Sequence, residues 1–215
     1  MRCRGYPQTR DYENLQRAMF VGVGPFGIPE VEPVDKPSER TRWISFNFVR
    51  GDDDPRWHGV HFFIDDRQVA RLWGAPDVYT EKLLKYQVVC TPDLSISPDL
   101  PLPVRRFNHY RKHWLGAYWQ TQGMNVVSTV RWGPDPESWE WCFDGEPVGS
   151  CIALNGMDAR NPETREAFLA GYRVMKKRLK PTHILLYGEP PDELKADRSK
   201  ITVIPASMNR WLGAI

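Results

Sequence analysis

Apolar positions along this chain gather into short runs separated by helical or proline-rich stretches, a rhythm that begins near Arg42 and continues to Ile204. Residues 43–49 alternate at period two, with Ile44, Phe46 and Phe48 on one face, which predicts a half-buried strand. Residues 59–64, 86–90, 125–131, 148–154, 182–187 and 200–204 read as buried strands, bounded by loop signals such as Thr91-Pro92-Asp93 and Trp132-Gly133-Pro134. Helical spacing predicts helices over 67–73, 78–85, 104–122 and onward from Asn161, with a terminal helical turn at 207–212. Gly123 closes the third, since glycine takes the left-handed conformation there, and Asn161-Pro162-Glu163 opens the fourth with cap, proline and first-turn acid. Strands joined through helices lie parallel with right-handed crossovers. The expected fold is therefore α/β, a largely parallel sheet of βα units forming a distorted or incomplete TIM-like barrel, or else an open three-layer sandwich. Residues 1–40 read as an N-terminal extension with a short helix over 11–19, and 41–215 as a single α/β domain.

The helix over 104–122 carries the sharpest pattern. At 100° per residue Val104, Phe107, Tyr110, Trp114, Leu115 and Tyr118 form one stripe, which is expected to pack on the sheet. Arg105, Arg106, His109, Lys112 and His113 fall on the opposite side and read as a solvated basic face or a phosphate-binding surface. Arg111 projects within the stripe. It needs a carboxylate, a backbone carbonyl or an anionic ligand, or must extend outward along the stripe's edge, because an unpaired buried charge is costly.

Composition narrows the class without naming a function. The 215 residues are 41% hydrophobic and 26% charged, suited to one substantial core, and the net charge of +2 gives no global nucleic-acid signature. No long apolar run is present, so a soluble, cytoplasmic protein without a membrane partner is expected. Cys3, Cys90, Cys142 and Cys151 lack metal or redox spacing and read as reduced thiols. Gly22 to Gly27 lacks the lysine and the preceding strand of a phosphate loop. The acidic turn Asp52-Asp53-Asp54 lacks calcium-loop spacing. His109 and His113 have the i, i+4 spacing of a metal pair, but cationic neighbours argue against zinc, and no metal site is expected.

Parallel strands bring their downstream ends to one rim, which here would collect Asp65 or Asp66, Asp93, Trp132, Asn155 and Glu189. Asp93 and Glu189 are the candidate acid–base pair for cleaving a sugar or phosphate ester. With Asp65 or Asp66 they would instead hold magnesium for nuclease chemistry. Otherwise no cofactor is expected.

The strand ending Val-Val-Cys-Thr-Pro-Asp93, then Asn108-x-x-Arg111, Leu115-Gly-Ala-Tyr118-Trp119-Gln120 and the strand running to Arg131-Trp132 resemble domain-of-unknown-function family 4417 of bacteria, plasmids and phages. Cys142-Phe-Asp-Gly145 and Ser150-Cys-Ile-Ala153 fit the same pattern. The resemblance runs from Arg42 to about Glu189 and implies a phage or mobile-element context without an activity. It draws Asp93, Asn108, Arg111, Tyr118, Trp119, Gln120 and Trp132 together as one cluster. Three readings follow. The first is association with DNA or RNA through Arg105, Arg106, Arg111 and Lys112 beside a stacking aromatic such as Trp119. The second is a barrel-type hydrolase working through Asp93 and Glu189, and the third is a phage factor that binds a host protein.

Overall fold

The computed structural model describes residues 13–206. A two-stranded antiparallel hairpin of β1 (Gly22–Val23) and β2 (Ile28–Pro29) precedes seven strands. These are β3 (Arg42–Ser45), β4 (His58–His61), β5 (Val88–Cys90), β6 (Val126–Thr129), β7 (Cys151–Asn155), β8 (His183–Tyr187) and β9 (Ile201–Ile204). They pair in chain order and every pair is parallel. The crossings are made by α1 (Asp66–Gly74) and α2 (Pro76–Leu83), α3 (Leu102–Thr121) and α4 (Pro162–Leu179).

This sheet curls into a nearly closed barrel, so the barrel expectation holds and the open sandwich does not. His61, ending β4, packs on Tyr187, ending β8, with ring centroids 5.1 Å apart although three strands lie between them in the order. The period-two alternation of β7 and β8 divides the core. Cys151, Ala153 and Leu185 join Cys90 and Val127 in one cluster, while Ile152, Leu154, Ile184 and Leu186 pack under Tyr172, Met175 and Leu179 of α4. Among the described residues, no helix is long and apolar enough to cross a membrane.

Two local expectations fail for identifiable reasons. The strand predicted over 43–49 stops at Ser45, and Phe46–Gly51 forms a 3-10 helix that turns Phe46 onto Phe62, ring centroids 4.9 Å apart. The helix predicted over 11–19 is absent from its described part. Glu13 and Asn14 take φ of 51° and 62°, which a right-handed helix does not accommodate, and residues 11 and 12 lie outside the described residues. The 207–212 turn and Cys3 also lie outside them.

The largest correction concerns α3, whose basic face turns inward. Arg105, His109, Lys112 and His113 are only 7%, 2%, 3% and 0% exposed, whereas Val104 and Phe107 of the expected packing stripe are 42% and 39% exposed. Arg105 donates to the Ile96 carbonyl at 2.8 Å and to Asp135 at 2.6 Å. Lys112 donates to the Thr129 carbonyl at 3.0 Å and pairs with Glu146. These partners arrive from loops distant in sequence, so the helical period carries no trace of them. Trp114 is buried on another side, under Trp73 and Phe20, and its Nε1 donates to the Ala18 carbonyl. Gly116 permits close approach of the sheet: a Cβ there would stand 2.7 Å from Thr91 Cγ2.

Candidate functional site

The downstream ends of β5, β6 and β7 each deliver one polar group to a common point on the barrel rim. Beyond β5, the Thr91-Pro92-Asp93 turn places Asp93 at 5% exposure, and both its carboxylate oxygens accept from Arg131 Nη1 at 3.0 Å. Asn155, the last residue of β7, donates to Asp93 Oδ2 at 3.1 Å. Its own Oδ1 accepts from the Met157 amide at 3.1 Å, capping the 3-10 turn Gly156–Ala159. That turn presents Asp158, whose carboxylate lies 3.9 Å from Arg131 Nη2. One guanidinium thus stands between two carboxylates.

The framework around these groups is well tied. Thr129 at the end of β6 exchanges two hydrogen bonds with Thr91, at 2.8 and 2.6 Å. The first turn of α4 holds the Asp158 loop, since Thr164 Oγ1 donates to the Asp158 carbonyl at 2.5 Å and Arg165 to the Ala159 carbonyl at 3.2 Å. Asn161 caps α4 by accepting from the Glu163 amide. Against this cluster opens a cavity of about 140 Å³ whose lining includes Arg131, Asn155, Asp158, Thr164, Trp132 and Phe168. The Trp132 and Phe168 rings are 5.3 Å apart. Trp132 reaches its place only because Gly171 of α4 lacks a side chain: a Cβ there would fall 2.1 Å from Trp132 Cδ1.

The two carboxylates face unlike environments. Asp93 reinforces the charge on Arg131, raising that pKa against the opposing effect of burial, and Asp158 adds to the rise. Asp158 is itself raised, chiefly by burial, with Arg131 opposing and the Asp93 charge assisting. The shift at Asp158 is therefore upward, on a side chain that remains 46% exposed.

A second cluster lies beneath α3. Ligand atoms of His109, His113 and Glu146 fall within 4.8 Å of one another, a grouping able to hold a metal ion. The carboxylate is already engaged on both oxygens, by Lys112 on one and by Ser128 at 2.6 Å on the other. Burial alone would raise Glu146, yet Lys112 and His113 hold it down to about 2. Burial and the adjacent ammonium push His113 down to about 4, so its imidazole is neutral. A divalent ion would add two buried positive charges to a pair that is already neutral, which argues against occupancy.

Of the residues singled out by sequence, Asp93, Asn155 and Trp132 come to the rim. Glu189 is exposed on the loop after β8, and the carboxylate at the far end of Arg131 is Asp158 instead. Asp66 accepts from the Ser95 amide at 3.1 Å and Asn108 donates to the Ser95 carbonyl at 2.7 Å. Arg111 donates to Asn108 and lies over the Phe107 ring at 4.9 Å, with burial lowering its pKa against the Asp66 and Glu13 carboxylates. Tyr118 donates to Asp77 at 2.7 Å. Trp119, expected as a stacking platform, is 0% exposed and packs on Phe62. Gln120 exchanges hydrogen bonds with the Glu32 backbone. Arg106 is half-buried over Phe26 at 4.0 Å. Of the cluster implied by resemblance, Asp93 and Trp132 thus come to the rim, while Asn108, Arg111, Tyr118, Trp119 and Gln120 lie along α3. Arg131 and Asp158 escaped the sequence reading as site residues. Asp158 had one usable signal: it follows the end of β7 by the same three residues that separate Asp93 from the end of β5.

Residues 20–205 match the family model described as a domain of unknown function, DUF4417. The chain is 33% identical over 187 residues to the Gene 1 protein of Mycobacterium phage L5, covering 85% of this chain and 80% of that protein. It is 32% identical over 186 residues to the Gene 1 protein of Mycobacterium phage D29, covering 85% and 67%. No solved structure matches.

Proposed function

The chain belongs to the DUF4417 family and has phage-encoded relatives; on that premise we propose that it is a barrel-type hydrolase whose proton-transfer group is Asp158. The observation that carries this reading is the pair of carboxylates, Asp93 and Asp158, flanking one guanidinium at the edge of an aromatic-walled cavity. Neighbouring carboxylates in unlike environments divide the work of acid and fixed charge. Asp158, whose pKa partial burial shifts upward, gives its proton to the departing oxygen as the ester or glycosidic bond breaks. Water adds to the electrophilic centre and returns a proton to Asp158, completing hydrolysis. Asp93 fixes Arg131 and Asn155 through its carboxylate. Arg131 steadies negative charge that develops on oxygen.

Nucleic-acid association through α3 would first require Arg105 and Lys112, at 7% and 3% exposure, to leave their internal partners, so the rim takes precedence. The test is turnover of chromogenic glycosides and phosphate esters between pH 5 and 8 by wild type, Asp158→Asn and Asp93→Asn. Wild-type turnover should fall about 100-fold or more in Asp158→Asn. A wild type inert on every substrate, or an Asp158→Asn variant with undiminished turnover, would sink the proposal.

A further inference from the structure

We infer that the rim cavity takes a neutral sugar ring and discriminates against a phosphorylated substrate, an inference that rests on the hydrolytic reading and narrows it. Arg131 is the cation lining the cavity, and it is committed, with Nη1 held by both oxygens of Asp93 and Nη2 facing Asp158. Two carboxylates thus face one positive charge. The neighbouring cations are otherwise placed. Arg111 lies over Phe107, and Arg165 is paired with Glu193 at 2.7 Å. The first turn of α4 already carries Glu163 against its dipole. A phosphate would bring about two further negative charges beside Asp93 and Asp158, where the one cation of the lining is already paired.

The cavity walls suit the opposite kind of ligand. Trp132 and Phe168 offer apolar faces for the C–H surface of a pyranose, while Asn155, Asp158 and Thr164 stand beside them as hydrogen-bonding groups for hydroxyls. A cavity of about 140 Å³ is of the size that holds one six-membered ring.

The deciding experiment compares substrates that share one leaving group: α- and β-4-nitrophenyl glycosides of glucose, galactose and N-acetylglucosamine against 4-nitrophenyl phosphate and bis(4-nitrophenyl) phosphate. Ligand-observed NMR of the same compounds reports binding independently of turnover. The inference expects at least tenfold higher kcat/KM on one of the glycosides than on either phosphate, abolished by Asp158→Asn. It also expects a KM raised about tenfold by Trp132→Phe, in a variant whose circular dichroism and Tm confirm that it folds. Phosphate turnover that depends on Asp158, without glycoside turnover, would overturn the sugar inference and leave the hydrolytic reading standing. Glycoside binding that is weakened in Trp132→Phe, with no turnover at all, would keep the ligand class and remove hydrolysis. Neither binding nor turnover of any compound would end both.

Discussion

The cluster under α3 and the cluster at the barrel rim are built from the same kinds of groups, a basic side chain set against carboxylates, and they differ in closure. Beneath α3, Lys112 and Glu146 are 3% and 7% exposed, both carboxylate oxygens are satisfied, and two neutral histidines complete a sealed, charge-balanced unit. At the rim, one guanidinium serves two carboxylates, about a quarter of the Arg131 side chain is exposed, and a cavity opens alongside. Beneath α3 the carboxylate is engaged on both oxygens and closed off from solvent, which leaves little for a ligand to reach. An unbalanced pair facing a cavity retains hydrogen-bonding capacity that a ligand can reach.

The comparison breaks most visibly if the sealed pair is opened. Lys112→Met should leave the Glu146 carboxylate buried without its ammonium and cost about 3–5 kcal/mol in urea denaturation. Adding Glu146→Gln should restore much of that loss, and a single-variant cost below about 1 kcal/mol would mean the pair is not structural.

Acid should separate the clusters next. His61 and His113 are both pushed by burial down to about 4 from 6.5, with Lys112 assisting at His113, so the unfolded chain binds more protons than the fold between those values. Stability should therefore fall as pH drops from about 6.5 to about 4, with Glu146 extending the loss from 4.5 toward about 2. Asp158 has the opposite sign. Its raised pKa contributes stability that is present below its unfolded value of 3.8 and lost as pH rises through the folded value. Tm measured against pH gives the first trend directly, and a flat profile from pH 7 to 4 would contradict it.

Asp93→Asn should produce an intermediate effect. It removes the charge that fixes Arg131, but partial exposure lets water take over, so a loss of about 1–3 kcal/mol accompanies a large fall in turnover. Smallest for stability is Asp158→Asn. The Asp158 side chain is 46% exposed and 3.9 Å from its cation, so the substitution should change stability at neutral pH by less than about 1 kcal/mol, while turnover is lost. Parallel melting and kinetic assays would show that stability and activity part company at the rim, and a clear destabilisation by Asp158→Asn would show that they do not.

Much of the architecture was legible because its determinants are local. Short apolar runs marked the seven parallel strands, Asn161-Pro162-Glu163 marked the start of α4, and Gly123, at φ 84°, marked the end of α3. Asp93 was legible as a rim residue because a loop signal followed a buried strand. Asp158 sat unnoticed in a loop whose importance depends on Arg131 reaching it from the neighbouring strand end. The orientation of α3 was misread for a related reason. Periodicity assigns aromatic residues inward and cations outward, but the carboxylates and carbonyls that accept Arg105 and Lys112 come from residues 96, 129, 135 and 146.

Local sequence pattern sets the alternation of strand and helix, the parallel sheet that alternation enforces, and hence the edge at which a site would form. Which charges are internal and which remain available depends on the folded arrangement. Apolar pattern is a property of neighbouring positions, whereas the cost of burying a charge is set by partners that folding brings across space.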